Sequence, residues 1–158
     1  MLIPGLKKIV NQRLKKQSEL MAITNMLRVV LDSNIYISSI GFGGNPKKVV
    51  SLGIKGEFQI VLSEFIISEV TRVCIKKLKL KSSELDFFFN ELLLVADLVT
   101  PSTEITTTTN DGDNIVLATA IDGHADYIVT GDKAHLIPIQ KYQTVKIVTL
   151  DKFMQFLK

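Results

Sequence analysis

Strand-like runs that end in an aspartate occur twice in this chain, and they limit the folds open to it. RVVLD at 28–32 and ADYIVTGD at 125–132 are short and β-branched with a polar exit, as buried parallel strands read. Helix-like and strand-like segments alternate around them. SNIYISSIG reads as a short helix, GFGGNP as a loop broken by its glycines and Pro46, and KKVVSLGI as a second helix. EFQIVLS reads as a buried strand and SEFIISEVTRVCIKKL as a longer helix capped by Ser63. SSELDFFFNELLLVA reads as a helix capped by Ser82 or Ser83, ADLVTP as a strand stopped by Pro101, and STEITTTTNDGD as a loop. NIVLATAID reads as a helix beginning near Asp113, KIVTL as a last strand and DKFMQFLK as a closing helix. Such alternation predicts an α/β fold, an open parallel sheet with helices on both faces. Its functional crevice should lie outside the carboxyl ends of the strands, which puts Asp32 and Asp132 on one edge.

The length of 158 residues and the 46% hydrophobic content suit one domain with a packed core. Residues 1–25 read as a basic N-terminal extension, disordered or an artefact of start-site choice, ahead of a domain spanning 26–158. That extension carries Lys7, Lys8, Arg13, Lys15 and Lys16 but no apolar stretch and cleavage site of a secretory signal. With a single cysteine, Cys74, no intramolecular disulfide forms, and two histidines do not make a structural zinc site. Cys74 reads as a small core residue. The single cysteine fits a reducing, cytoplasmic setting, and since no apolar run reaches the roughly 18 residues of a membrane span a soluble protein is expected. The net charge of +3 is not spread evenly. Residues 1–27 hold five Lys/Arg and one acid, which leaves 14 bases against 15 acids in the remainder. Within it Arg72, Lys76, Lys77, Lys79 and Lys81 crowd together, either as a surface that follows a phosphate backbone or as a solvated helix face.

Four acids stand apart by position: Asp32 and Asp132 end strands, Asp113 opens a helix, and Glu69 lies on a helix among apolar residues. Each alone has an ordinary explanation, a helix cap for the aspartates and a solvent-facing side chain for the glutamate. Together they have a chemical one. Clustered carboxylates oppose one another's ionisation, and a divalent cation with oxygen ligands, Mg2+ or Mn2+, removes that penalty while activating water against a phosphate. No nucleophilic side chain is needed.

The segments VVLDSNIYISS, SEFIISEV, GDNIVLATAIDGHADYIVTGDKAHL and VKIVTLDKF resemble successive motifs of the PIN-domain family over residues 28 to about 155. The nearest branch is the toxin components of bacterial and archaeal toxin–antitoxin pairs, the VapC-like proteins. The resemblance implies a three-layer α/β/α sandwich with a central parallel sheet, and Mg2+- or Mn2+-dependent cleavage of RNA. It implies that Asp32, Glu69, Asp113 and Asp132 hold the metal and that Ser33, Asn34 and Thr130 position substrate or water; on an RNA-cleaving reading, Arg72, Lys76 and Lys77 of the basic cluster are the expected contacts to the RNA backbone. Asp111 resembles an additional acid near the third. A small antitoxin protein and a homodimeric state are implied as partners. The basic extension departs from the family pattern.

Other residues carry less. His135, near Asp132, reads as a surface residue more readily than as a substrate contact. GFGGNP matches neither G-x-G-x-x-G nor a P-loop. Phe87, Phe88 and Phe89 are consecutive, so on a helix at least one faces outwards, as at a homodimer interface, unless all are absorbed by core packing. An aspartate-phosphorylated receiver would want an acidic pair at the first strand and a lysine after the last. A haloacid-type phosphatase would want D-x-D where this chain has Asp32-Ser33-Asn34.

Overall fold

The computed structural model describes residues 5–24 and 26–157. The outermost parts of the expected extension and domain, residues 1–4, 25 and 158, lie outside the described residues. The elements run in the order α1 (Leu6–Thr24), β1 (Arg28–Leu31), α2 (Ser33–Gly41), α3 (Gly44–Ile54), β2 (Gln59–Ser63), α4 (Glu64–Lys77), α5 (Ser82–Leu93) and β3 (Asp97–Val99). They continue with α6 (Asp111–Asp122), β4 (Tyr127–Val129), a 3-10 turn at Ile137–Ile139, β5 (Lys141–Tyr142), β6 (Val145–Val148) and α7 (Leu150–Phe156).

The sheet order is β3-β2-β1-β4-β6-β5. All pairings are parallel except the last, where the two-residue β5 runs antiparallel to β6. The chain steps outward from β1 to β2 to β3, then returns across β1 to β4. The reversal makes the β1–β4 boundary the switch point, where a crevice opens at the carboxyl edge. It also sends the crossover helices to opposite faces, because such connections are right-handed. Adjacent residues of β2 report both faces: a Cβ at Gly53 of α3 would lie 2.5 Å from Ile60 Cδ1, and one at Gly123, closing α6, would lie 2.5 Å from Val61 Cγ1. Glycine at both positions lets a helix come down onto the strand. The α2–α3, α2–α4 and α3–α7 contacts join one helical layer, while α6 lies across β1, β2 and β4. The result is the three-layer α/β/α sandwich.

The strands are buried on both sides, with Val29, Val30, Leu31, Val61, Leu62 and Ile128 fully enclosed, which is why they read as continuous apolar runs rather than alternating ones. At the amino edge Arg28 ties the sheet together: its guanidinium pairs with Asp97 of β3, its Nε donates to Gly123 O at 2.8 Å, and its backbone N–H donates to Asp126 Oδ2 at 2.9 Å. The basic stitching and the acids of the carboxyl edge are thus at opposite ends of the strands.

Several boundaries differ from the sequence expectation. Residues read as part of a basic extension form α1, whose Leu6 and Val10 are buried against the core with Leu14 packed beside them. Their four-residue spacing makes a narrow apolar stripe under a charged helix. The Ser82 and Ser83 hydroxyls do not cap α5; Lys81 holds the extended cap conformation and no side-chain bond closes the helix. GFGGNP is a shorter loop than expected, because α3 already begins at Gly44 and its first turn tolerates Pro46, which lacks an N–H that would have no helical acceptor there. Ser63 caps α4 as expected, its Oγ accepting from Ile66 N at 3.4 Å. Phe87 is 75% exposed while Phe89 is buried, the outcome required of three consecutive phenylalanines on a helix. Cys74 is buried in the core. Among the described residues no helix is long and apolar enough to cross a membrane.

Candidate active site

Parallel register brings the first two polar positions together. Leu31 of β1 is paired with Val129 of β4, so the next residues, Asp32 and Thr130, emerge side by side. Thr130 Oγ donates to Asp32 Oδ2 at 2.7 Å and accepts the backbone N–H of Asp132 at 2.9 Å. One buried hydroxyl therefore links two of the four acids. Asp32 is itself the cap of α2, its Oδ1 accepting from Ser33 N at 2.8 Å. Asn34, one residue on, accepts the N–H of Gly131 at 3.4 Å and holds the loop after β4 against the first turn of α2.

Asp132 turns the chain back. Its Oδ1 accepts the N–H groups of Ala134 and His135 at 3.1 and 3.0 Å, an Asx-type turn. Asp113 enters from α6, on the far side of the crevice. The cap of that helix is Asn110, whose Oδ1 accepts the N–H of Asp113 at 3.0 Å. Asp113 is thereby relieved of capping and its carboxylate points into the site. The helix start is held by a polar lock in which Asn114 Oδ1 accepts Thr108 N at 2.9 Å and Asn114 Nδ2 donates to Thr108 O at 3.1 Å. Glu69, half-buried in the second turn of α4, faces the same helix start: a Cβ on Gly112 would lie 3.6 Å from Glu69 Oε2 and 3.2 Å from Phe65 Cζ. Glycine at 112 is what allows α4 and α6 to approach there.

The carboxylates feel one another. Burial raises Asp32, its hydrogen bonds to Thr130 and Ser33 pull the other way, and Glu69 and Asp132 add to the rise; the net direction is upward. Asp113 is pushed up to about 7, first by burial, then by sharing a proton with Asp132, then by the charges of Asp132, Asp32 and Glu69. Asp132 is also penalised by burial, but the hydrogen bond from Asp113 and the N–H groups of His135 and Ala134 outweigh it and lower it. Without a cation the Asp113–Asp132 pair holds one proton near neutral pH.

Asp113, Asp132 and His135 each bring a donor atom within 4.8 Å of the others. Asp32 and Glu69 surround that group without belonging to it, Asp32 through Thr130 and Glu69 through its charge. His135, read from the sequence as a surface residue, is the addition: its Nδ1 lies 3.4 Å from Asp132 Oδ2 and 3.6 Å from Asp113 Oδ2. The available signal was its place three residues after Asp132, at the end of the Asx turn. Asp111 is exposed at the start of α6 and is not in the group. Arg72, Lys76 and Lys77 are exposed on α4, and at about 1.5 Å per residue they recede from Glu69 toward the helix's carboxyl end. A ring of carboxylates with a buried oxygen is equipped to hold a hard divalent cation.

Comparison with curated proteins gives no match. A solved chain of VapBC2 from Rickettsia felis, in a structure bound to a DNA fragment from their promoter, is similar with 15% identity and a TM-score of 0.55, covering 78% of this chain and 98% of that one. At that identity the likeness is one of fold. The PIN domain family model matches residues 28–134, a stretch that starts at β1 and contains all four acids, and so the chain belongs to the PIN-domain family.

Proposed function

We propose that this chain is a divalent-cation-dependent endoribonuclease, hydrolysing phosphodiester bonds of RNA as the toxin component of a toxin–antitoxin pair. The observation that carries the reading is Asp113 Oδ2, a buried carboxylate oxygen with no hydrogen-bond partner, set beside a second carboxylate that follows β4. A buried acid in that state is costly, and a cation is what its chemistry fits. In this reading Asp32, Asp113 and Asp132 hold Mg2+ or Mn2+, with Glu69 a further ligand or the group that positions water. When bound, the cation lowers the pKa of water and offsets charge on the phosphate oxygens. Thr130 fixes the orientation of Asp32 and of the Asp132 backbone, Ser33 supplies the N–H that holds Asp32 Oδ1, and Asn34 sits at the rim within reach of a substrate group. Arg72, Lys76 and Lys77 offer cations along α4 to an RNA backbone that extends beyond the scissile bond.

The fold likeness to a VapBC2 chain supports a small antitoxin partner that covers this crevice and holds the activity off. The exposed ring of Phe87 supports a homodimer contact on α5. A cytoplasmic setting suits an RNA substrate. The test is cleavage of single-stranded RNA with Mn2+ or Mg2+, with and without chelator, alongside Asp32→Asn and Asp113→Asn. Metal-dependent cleavage lost in both variants is expected. Cleavage unaltered by the substitutions, or no cleavage of any RNA, would point instead to a PIN module that binds RNA or protein without turnover.

A further inference from the structure

The ring of His135 stands beside the carboxylates of both Asp132 and Asp113. Its Nδ1 stands 3.4 Å from Asp132 Oδ2 and 3.6 Å from Asp113 Oδ2, beyond the roughly 2.7–3.2 Å of a good N–H···O hydrogen bond. All three donor atoms lie within 4.8 Å of one another. Neighbouring ligands of an octahedral cation, at about 2.1 Å from it, lie about 3 Å apart, a few tenths of an ångström closer than the ring stands to either carboxylate oxygen. Asp132 Oδ1 is already committed to the N–H groups of Ala134 and His135, which leaves Oδ2 turned to the ring. Asp113 Oδ2 adds a second observation, being a buried carboxylate oxygen that accepts no hydrogen bond.

We propose that His135 Nδ1 joins Asp113 and Asp132 in one cation site, making it a mixed nitrogen–oxygen site that takes Mn2+ in preference to Mg2+. The inference rests on the acid-cluster reading above and adds to it the identity of one ligand and of the metal. Mg2+ is a hard cation that keeps to oxygen and water, whereas imidazole shifts a site toward transition metals. The short Asx turn sets the ring's position, since the side chain that accepts from the N–H of His135 belongs to its co-ligand.

The experiment uses the full chain and three proteins: wild type, His135→Ala and Asp113→Asn. Pulsed electron paramagnetic resonance of bound Mn2+ should show nitrogen coupling in the wild type and none in His135→Ala. In direct titrations His135→Ala should lose about tenfold or more in Mn2+ affinity, the scale on which ligand-shell changes act, while its Mg2+ affinity changes far less. The side chain is 40% exposed, and a metal-free melt matching the wild type checks that the variant folds. Nitrogen coupling absent from the wild type, or Mn2+ affinity unchanged in His135→Ala while Asp113→Asn abolishes binding, would overturn the ligand assignment and leave the acid site standing. Equal Mn2+ binding by wild type and Asp113→Asn, or none by either, would remove the acid-cluster reading and this inference with it.

Discussion

Replacing Asp113 by Asn should abolish catalysis and yet make the metal-free protein more stable. Asn is nearly isosteric, and the bond that fixes Asp113 in α6 uses its backbone N–H, not its carboxylate. The carboxylate is held at about 7 against an ordinary 3.8, so at about 1.4 kcal/mol per unit the charged form costs at most about 4 kcal/mol of folding stability above neutral pH. The lowering of Asp132 returns part of this, since the two titrate as a pair, so the gain is smaller than that ceiling. For a chain of this size each kcal/mol corresponds to about 2–4 °C in Tm. The sign follows from linkage: a group with a raised folded pKa contributes stability fully present below 3.8 and lost as pH rises through about 7. The advantage of Asp113→Asn should therefore be complete at pH 8 in chelator and fall to less than half at pH 5. Saturating Mn2+ should reverse the order, because a cation at a hundred times its Kd adds about 2.7 kcal/mol to the protein that binds it. Thermal melts of both proteins at the two pH values, with chelator and with Mn2+, make the measurement. A variant less stable than wild type at pH 8 in chelator, or a gap indifferent to pH, would refute the reasoning.

Thr130→Val removes the hydroxyl that serves both Asp32 and the Asp132 N–H; urea denaturation should show a loss of about 1–3 kcal/mol, and RNA cleavage should fall with it. Gly123→Ala places a methyl 2.5 Å from Val61 and 2.8 Å from the Thr119 carbonyl oxygen, so a destabilisation of about 1–3 kcal/mol is expected by the same assay. Ser63→Ala takes away the α4 cap and should cost about 1 kcal/mol. Phe87→Glu, at a ring 75% exposed, should leave stability within about 0.5 kcal/mol and convert the proposed dimer to monomer in sedimentation velocity.

Where the sequence was legible, one physical signal dominated locally. Continuous apolar runs marked β1, β2 and β4 because both faces of those strands are covered, and Ser63 marked the start of α4 because capping is a contact within one turn. The signals failed where a decision was tertiary or the segment was short. The strand β5 is two residues, Lys141 and Tyr142, with no period to read, and its pairing depends wholly on β6. In the first turns of α1 Leu6, Val10 and Leu14 form a narrow stripe against the core, and the basic composition of the segment outweighed it. His135 gave only one local signal, its place three residues after Asp132. Its role depends on a turn closed by Asp132 and on Asp113, which arrives from the other side of the crevice.

Capping and catalytic duty first looked like competing explanations for the acids, but the atoms divide the work. Asp32 spends Oδ1 on Ser33 and Oδ2 on Thr130; Asp132 spends Oδ1 on its turn and keeps Oδ2 for the crevice; Asp113 leaves Oδ2 without a partner because Asn110 has taken over the cap. Commitment to the fold falls in that order. Asp113, the acid with the orphaned oxygen, is raised to about 7 and Asp132, with its backbone N–H donors, is lowered, while burial raises Asp32 in spite of its two hydrogen bonds. Buried charge without a partner is unstable in proportion to how little the surrounding fold satisfies it. The acid least used by the fold is thus the one with an oxygen left over for a cation, and its replacement should separate stability from activity.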